Sequence, residues 1–322
     1  LKAQHSYIYD ALSGKPLQVL EQCVPIEVVV KEQGGRAPLP EMHDAKGLSA
    51  ALLALHGERC QGGAANAPAC VLLTAGPAAG KTSLTSQVVM HALEASADVV
   101  PILIKVQKLQ RFLLDHGDAF AASWNWLDAH LKLEHADKPP EVYRMLRQAL
   151  LARRALVLLD GLDEAGTERA TIERHVAEVL APQGHTMLVT SRPAGIDEGR
   201  FAHFHRLSLA PLTPEQQEQA ATQRVGADRA EELLPYLRES VPKDEEGEYV
   251  TGNPLMLSMV VSIFELRQGL EMPATVAELY ADATEAMLER GGAASPALRR
   301  LLQMIFFKAQ GRKSASSRTC SS

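Results

Sequence analysis

An α/β domain built on a parallel sheet, followed by a smaller all-helical region, is the architecture this sequence predicts. Between residues 70 and 210, short apolar runs of β-forming residues alternate with amphipathic helical stretches. That alternation is the mark of βαβ units, with helices covering both faces of one sheet. Beyond Ala210 the strand signals stop and helical periodicity continues alone. A chain of 322 residues, 46% hydrophobic and 22% charged, is long enough for one large domain or two modest ones. Those proportions exclude wholesale disorder and fibrous repeats.

Residues 1–69 read as a lead-in segment, with a strand expected at Val24–Val30 and a helix at Glu41–Leu55 before a Gly/Ala-rich linker, Gln61–Ala69. The α/β region, 70–210, carries apolar runs at Cys70–Thr74, Val99–Val106, Ala155–Leu159 and Met187–Thr190, and more weakly at His205–Leu209. Helical stretches at Thr82–Leu93, Val106–Leu133, Glu141–Arg154 and Glu168–Leu180 separate most of them. Trp124 and Trp126 fall in the second of these; core packing is the expectation for them, with a partner surface as the alternative. A helical subdomain follows over 211–293. Its opening, Thr213 then Pro214, Glu215 and Gln216, is a capping-box start. Further helices are expected at Ala227–Arg238, Pro254–Arg267 and Val276–Arg290, with a solvated acidic loop at Lys243–Glu248. One more helix is expected at Pro296–Ala309, and the polar, Ser-rich Gly311–Ser322 reads as a disordered tail.

Charge and cysteine usage narrow the function classes. Lys+Arg 33 against Asp+Glu 39 gives a net charge of −6, which excludes a generally basic nucleic-acid binder. Cys23, Cys60, Cys70 and Cys320 are too scattered for a disulfide framework or a zinc site, so a reduced, cytoplasmic protein is the expectation. No signal peptide is recognisable, and the apolar stretch Leu255–Phe264 is about half the length a bilayer span needs. A start at Leu1 instead of Met suggests a piece of a longer chain.

Directly after the first strand comes Ala75-Gly76-Pro77-Ala78-Ala79-Gly80-Lys81-Thr82-Ser83, and then an amphipathic helix. Strand, loop and helix fall in the order of a phosphate-binding P-loop, with Ala75 where Gly is usual. Small residues let backbone N–H groups curl around phosphate oxygens, and the helix N-terminus adds its positive dipole end. Lys81 would reach the β- and γ-phosphates of a nucleoside triphosphate, the Thr82 hydroxyl would ligate Mg²⁺, and Ser83 follows in the same helical turn.

A second element, Ala155-Leu156-Val157-Leu158-Leu159-Asp160-Gly161-Leu162-Asp163-Glu164, is a hydrophobic strand tipped with acids. It delivers Asp160 to the C-terminal sheet edge, where ligands of open α/β folds bind and a carboxylate can hold hydrated Mg²⁺. Asp163 and Glu164 are candidates to orient and deprotonate an attacking water. Three acids this close would repel one another without a cation, which adds to the argument for a metal.

The two motifs together resemble the NACHT family of signal-transduction P-loop NTPases, whose acidic motif runs Asp, small, apolar, Asp, Glu, as residues 160–164 do. Val99-Val100-Pro101-Ile102-Leu103-Ile104 is similar to the family's second strand, and Leu209-Ala210-Pro211-Leu212 to its passage into the helical subdomain. Thr190-Ser191-Arg192-Pro193 resembles the sensor motif, which implies that Arg192 sits near the γ-phosphate. Gly252-Asn253-Pro254-Leu255 resembles the motif whose proline packs on the base. The likeness spans roughly residues 70–310 and implies an ATP/ADP-binding switch with slow hydrolysis, self-association through the NTPase module, and effector and sensor domains outside this chain. Residues 294–310 would begin a truncated winged-helix subdomain, and nothing here fills the role of its phosphate-contacting histidine. A guanine-specifying Asn-Lys-x-Asp and an LSGGQ-like signature are both missing, which disfavours GTPases and transporter ATPases. A non-hydrolysing oligomerisation scaffold and an AAA+-like ATPase remain as alternatives.

Overall fold

The computed structural model describes residues 2–10, 12–31, 39, 42–60, 69–244, 247–267, 271–290 and 300. Residues 61–68 of the linker expected at Gln61–Ala69, the last helix and winged-helix start at 294–310 (Arg300 aside) and the tail at 311–322 lie outside the described residues. In chain order the elements are α1 (Lys2–His5), β1 (Tyr7–Tyr9), β2 (Pro16–Gln18), β3 (Val28–Val30), α2 (Ala45–Cys60), β4 (Cys70–Thr74), α3 (Lys81–Ala95) and β5 (Val100–Lys105). Then come α4 (Val106–Asp115), α5 (Gly117–Ala121), α6 (Trp126–Glu134), α7 (Pro140–Leu151), β6 (Ala155–Asp160), α8 (Arg169–His175), β7 (Thr186–Ser191) and β8 (His205–Leu209). Four helices follow: α9 (Pro214–Val225), α10 (Ala227–Pro235), α11 (Pro254–Arg267) and α12 (Val276–Arg290).

The main sheet has six strands in the order β3-β8-β4-β7-β6-β5. All neighbours are parallel except β3, which runs antiparallel to β8 at one edge. Strands β4, β6 and β7 are buried along their whole length because the sheet is covered on both faces. Alternate residues go to opposite sides. Cys70, Leu72, Val157, Leu159 and Val189 pack with Leu109, Leu127, Leu146 and Ile172 of the helices on one face. Val71, Leu73, Leu156, Leu158 and Leu188 pack with Leu48, Leu52, Leu84 and Val88 of α2 and α3 on the other. A third core joins α9, α10, α11 and α12 and takes in Leu12 and Ile26 from the N-terminal segment.

Several local expectations change. The helical stretch 106–133 is three helices, because the Asn125 side chain accepts a hydrogen bond from the Leu127 N–H at 2.7 Å and caps a fresh start. Trp126 packs against the core and stacks on His175 with ring centroids 3.7 Å apart. Trp124, in the turn before that cap, is 43% exposed and lies outside the core. The strand expected at Val24–Val30 is confined to Val28–Val30, since Ile26 turns into the helical core instead. At α9 the capping box forms as the sequence indicates: Thr213 and Gln216 exchange side chain-to-backbone hydrogen bonds at 3.3 and 2.9 Å.

Candidate nucleotide site

The end of β4 runs into the glycine-rich loop, and Gly80, with φ +89°, turns the chain into α3. The positive φ favours glycine, and a Cβ on Gly80 would come within 2.2 Å of the Ile26 Cδ1, so the tip of that side chain would have to turn away. Ala78 also has a positive φ, +58°, unfavourable for a residue with a side chain. Ala75 is buried, and its N–H donates to the Ser191 carbonyl at 3.1 Å, tying the loop to β7. Gly76, Pro77 and Ala78 are exposed, with Ala79 and Gly80 half-buried behind them.

Lys81 bends over this loop, its Nζ donating to the carbonyls of Ala75 at 2.9 Å and Gly76 at 2.8 Å. Burial lowers its pKa, and the nearby Asp163, Asp160 and Glu164 carboxylates oppose that shift. The Thr82 hydroxyl donates to Asp160 Oδ2 at 2.8 Å, joining the two motifs across 78 residues of sequence. The other Asp160 oxygen accepts from the Thr190 hydroxyl at 2.8 Å, which itself accepts the Gly161 N–H at 2.9 Å. Ser83 points elsewhere: its hydroxyl hydrogen-bonds the Cys23 thiol, whose pKa burial raises.

Because β7 lies between β4 and β6, Thr190 and Arg192 stand between the loop and the acids. The carboxylate of Asp163 takes the Arg192 backbone N–H at 3.1 Å and its Nε at 3.0 Å. Glu164 is exposed on the cavity side. Each acid therefore meets a different environment: hydroxyls for Asp160, a guanidinium for Asp163, open cavity for Glu164. Mutual repulsion thus adds little to the case for a metal, which rests on the Thr82–Asp160 pair.

The helical subdomain closes over the loop. The Asn253 side chain donates to the Pro77 carbonyl at 3.2 Å, and the Pro254 ring lies 3.6 Å from where a Gly80 Cβ would stand. Between these parts is a cavity of about 340 Å³, lined by residues 78–83, Glu164, Arg192 and Pro254. The sequence-based candidates thus come together from β4–α3, β6, β7 and α11. The remaining wall was not legible in advance: Tyr9, Asp10, Cys23, Val24 and Ile26 from the N-terminal segment, with Arg224 and Ser258 opposite. Thr190 and Asn253 lie inside the Thr190–Pro193 and Gly252–Leu255 motifs, where a polar side chain next to Arg192 or Pro254 is the signal that points to them. Among the described residues no group of three or more His, Cys, Asp or Glu is placed to hold a metal by itself. Magnesium asks for less, since it retains waters and is completed by substrate phosphates.

A parallel strand feeding a glycine-rich loop, and an acid-tipped strand beyond one intervening strand, define a P-loop NTPase fold. No family model matches the chain, and no curated protein matches it in sequence. Among solved structures it is similar to PCH-2 of C. elegans, with 12% identity, 76% of this chain and 67% of that chain covered, and a TM-score of 0.38. It is also similar to domain III of the Thermotoga maritima replication initiation protein DnaA, with 13% identity, coverage of 74% and 91%, and a TM-score of 0.42. At such scores neither likeness specifies a function.

Proposed function

We propose that this chain is an ATP/ADP-binding switch of the NACHT type, hydrolysing ATP slowly with Mg²⁺ and using nucleotide state to control opening and self-association. The observation that carries this reading is the 2.8 Å bond from Thr82 to Asp160, which sets a hydroxyl and a carboxylate side by side at the mouth of the phosphate loop. This donor pair fits a hydrated magnesium ion, with Thr82 and Asp160 as its protein-side contacts. When bound, the ion would neutralise charge on the β- and γ-phosphate oxygens.

The chain's own residues supply the rest. Backbone N–H groups of residues 78–83 receive the phosphates at the start of α3. Lys81 already donates to two carbonyls of its own loop, and phosphate oxygens are stronger acceptors for the same ammonium group. Glu164 and Asp163 are the acids available to orient water, and Arg192 is the cation available to the γ-phosphate. Val24, Ile26, Pro254 and Leu257 offer an apolar flank for the base. Since loop, helical subdomain and N-terminal segment all border one cavity, a ligand that fills it differently as ATP and as ADP shifts how they sit together. Effector and sensor domains outside this chain, and a reducing cytoplasmic setting, belong to the proposal. Cys23 and Cys70 are free thiols, and no described helix is long and apolar enough to cross a membrane.

Fluorescent-nucleotide binding measured beside phosphate release tests it. Lys81→Ala is expected to abolish binding, and Glu164→Gln to retain ATP while slowing turnover on the order of a hundredfold or more, the usual scale for loss of a general base. Unchanged binding by the Lys81 variant would overturn the assignment of the loop. Turnover unaffected by substitution of both Asp163 and Glu164 would point to a scaffold.

A further inference from the structure

The structure assigns Asp163 as a positioning residue for Arg192, leaving the base role to Glu164; this rests on the nucleotide reading above. Both Asp163 oxygens are engaged by one neighbour, Oδ1 by the Arg192 backbone N–H at 3.1 Å and Oδ2 by its Nε at 3.0 Å. Its side chain is only 8% exposed, against 51% for Arg192. Gly195 presses on it from behind: a Cβ there would stand 2.4 Å from the Asp163 Cβ. The carboxylate is therefore fixed from one side by the chain and from the other by the arginine.

A general base needs an oxygen free to take a proton from water. Each Asp163 oxygen already faces a donor of Arg192, which weakens it as a proton acceptor, whereas Glu164 lines the cavity and its carboxylate makes no hydrogen bond or ion pair among the described residues. The ion pair is made at the Nε, 3.0 Å from Oδ2, and Arg192 lines the same cavity as Lys81 and Thr82. The terminal amino groups of a guanidinium are the ones that fit a phosphate bidentately. A free arginine loses several rotatable torsions on meeting a phosphate; one already held by its Nε loses fewer.

The reasoning predicts an effect on discrimination between tri- and diphosphate, and one that exists only while Arg192 is present. Dissociation constants for ADP and for the β,γ-imido analogue of ATP would be measured by displacement of a fluorescent nucleotide in Mg²⁺ buffer. The proteins are wild type, Asp163→Asn, Arg192→Ala and the double variant. Arg192→Ala is expected to lower the triphosphate preference on the order of ten- to a hundredfold, the worth of a charge-assisted hydrogen bond. Asp163→Asn removes a negative charge near the phosphates, which acts alike in both backgrounds, and also releases the arginine, which acts in one. The cycle cancels the first and isolates the second, expected at about two- to tenfold from the ordering of one long side chain.

Arg192→Lys, which keeps the charge but has no Nε for Asp163 to grip, is expected to lose most of the same preference. Additive effects of the two substitutions, or full preference in the lysine variant, would overturn the assignment of Asp163 alone. A wild-type chain that binds neither nucleotide would overturn this assignment and the switch reading together.

Discussion

Removing the Asp10 carboxylate should release the N-terminal segment from the helical subdomain. Asp10 is wholly buried, and its Oδ1 accepts from the Leu12 N–H at 3.1 Å, the Ser13 N–H at 2.7 Å, and the Ser13 and Ser262 hydroxyls at 2.8 and 2.9 Å. Its Oδ2 accepts from the Ser258 hydroxyl at 2.6 Å and forms an ion pair with Arg224 at 2.9 Å. Burial alone would raise this carboxyl's pKa, but Ser258, Ser13 and Arg224 together hold it well below the usual carboxylate range. Asp10→Asn places an amide where Arg224 and Ser258 donate, leaving a guanidinium 8% exposed with Glu265 at 3.3 Å as its remaining carboxylate. Breaking a buried pair from one side costs about 3–5 kcal/mol, and the surviving Glu265 contact argues for the lower end, about 3 kcal/mol. The urea midpoint at pH 7 measures it, with Arg224→Met and the double variant closing a cycle whose coupling should exceed about 1 kcal/mol. The sign with pH is fixed too. A carboxyl depressed in the folded state adds stability above its unfolded pKa of about 3.9 and loses it as pH falls through the folded value. The gap between wild type and Asp10→Asn should therefore narrow below about pH 4. A midpoint shift equivalent to less than about 0.5 kcal/mol, the scale of an ordinary surface substitution, would refute the role of Asp10 in holding the segment, as would a gap independent of pH.

Three further outcomes follow from the same geometry. Gly80→Ala should weaken nucleotide binding and destabilise the fold by roughly 1–3 kcal/mol, since its Cβ meets Ile26 at 2.2 Å with φ at +89°; thermal melts beside nucleotide titration check both. Ala78→Gly relieves a residue at φ +58° whose strain, about 1–2 kcal/mol, exceeds the roughly 0.4–1 kcal/mol of chain entropy glycine adds, so a small rise in melting temperature is expected. A fall would show that the loop is held differently. Burial pushes His130, His175 and His185 down to about 4, so the unfolded chain takes up protons first as pH drops below about 6.5. Stability should decline between about pH 6.5 and 4, before the Asp10 limb begins, and substitution of His185 by Gln should flatten that decline in denaturant titrations at successive pH values.

How much of this was legible in advance depends on how local each signal is. The buried strands Cys70–Thr74, Ala155–Asp160 and Thr186–Ser191 announce themselves because a strand covered on both faces is a continuous apolar run. The loop after the first and the acids after the second are also contiguous, so the phosphate end of the site could be read residue by residue. The split of 106–133 was within reach, since Asn125 is a capping residue set inside a helical pattern. The antiparallel edge strand Val28–Val30 was harder: with three residues, one buried and two exposed, it barely alternates.

The wall opposite the phosphate loop was illegible for a different reason. Asp10 meets Ser258 and Ser262 across 248 and 252 residues, and its Arg224 partner comes from yet another helix. No spacing rule links such positions. The segment's path is set as much by its backbone: the Gln87 side chain donates to the Val19 and Cys23 carbonyls at 3.3 and 3.1 Å, and Gln216 to Pro25 at 2.9 Å. Carbonyl acceptors look the same whatever side chain they carry, so the sequence of a strap held this way is weakly constrained. Gln87 belongs to α3, the helix that begins at the phosphate loop, while Gln216 and Arg224 belong to α9. The strap therefore touches the nucleotide-facing body at one set of contacts and the helical subdomain at another. Any motion between the two must stretch or break one set, and the set buried around Asp10 is the costlier to break. The same contacts that hid this segment from sequence reasoning tie it to both bodies at once, so under the proposed switch it would be strained by their relative motion.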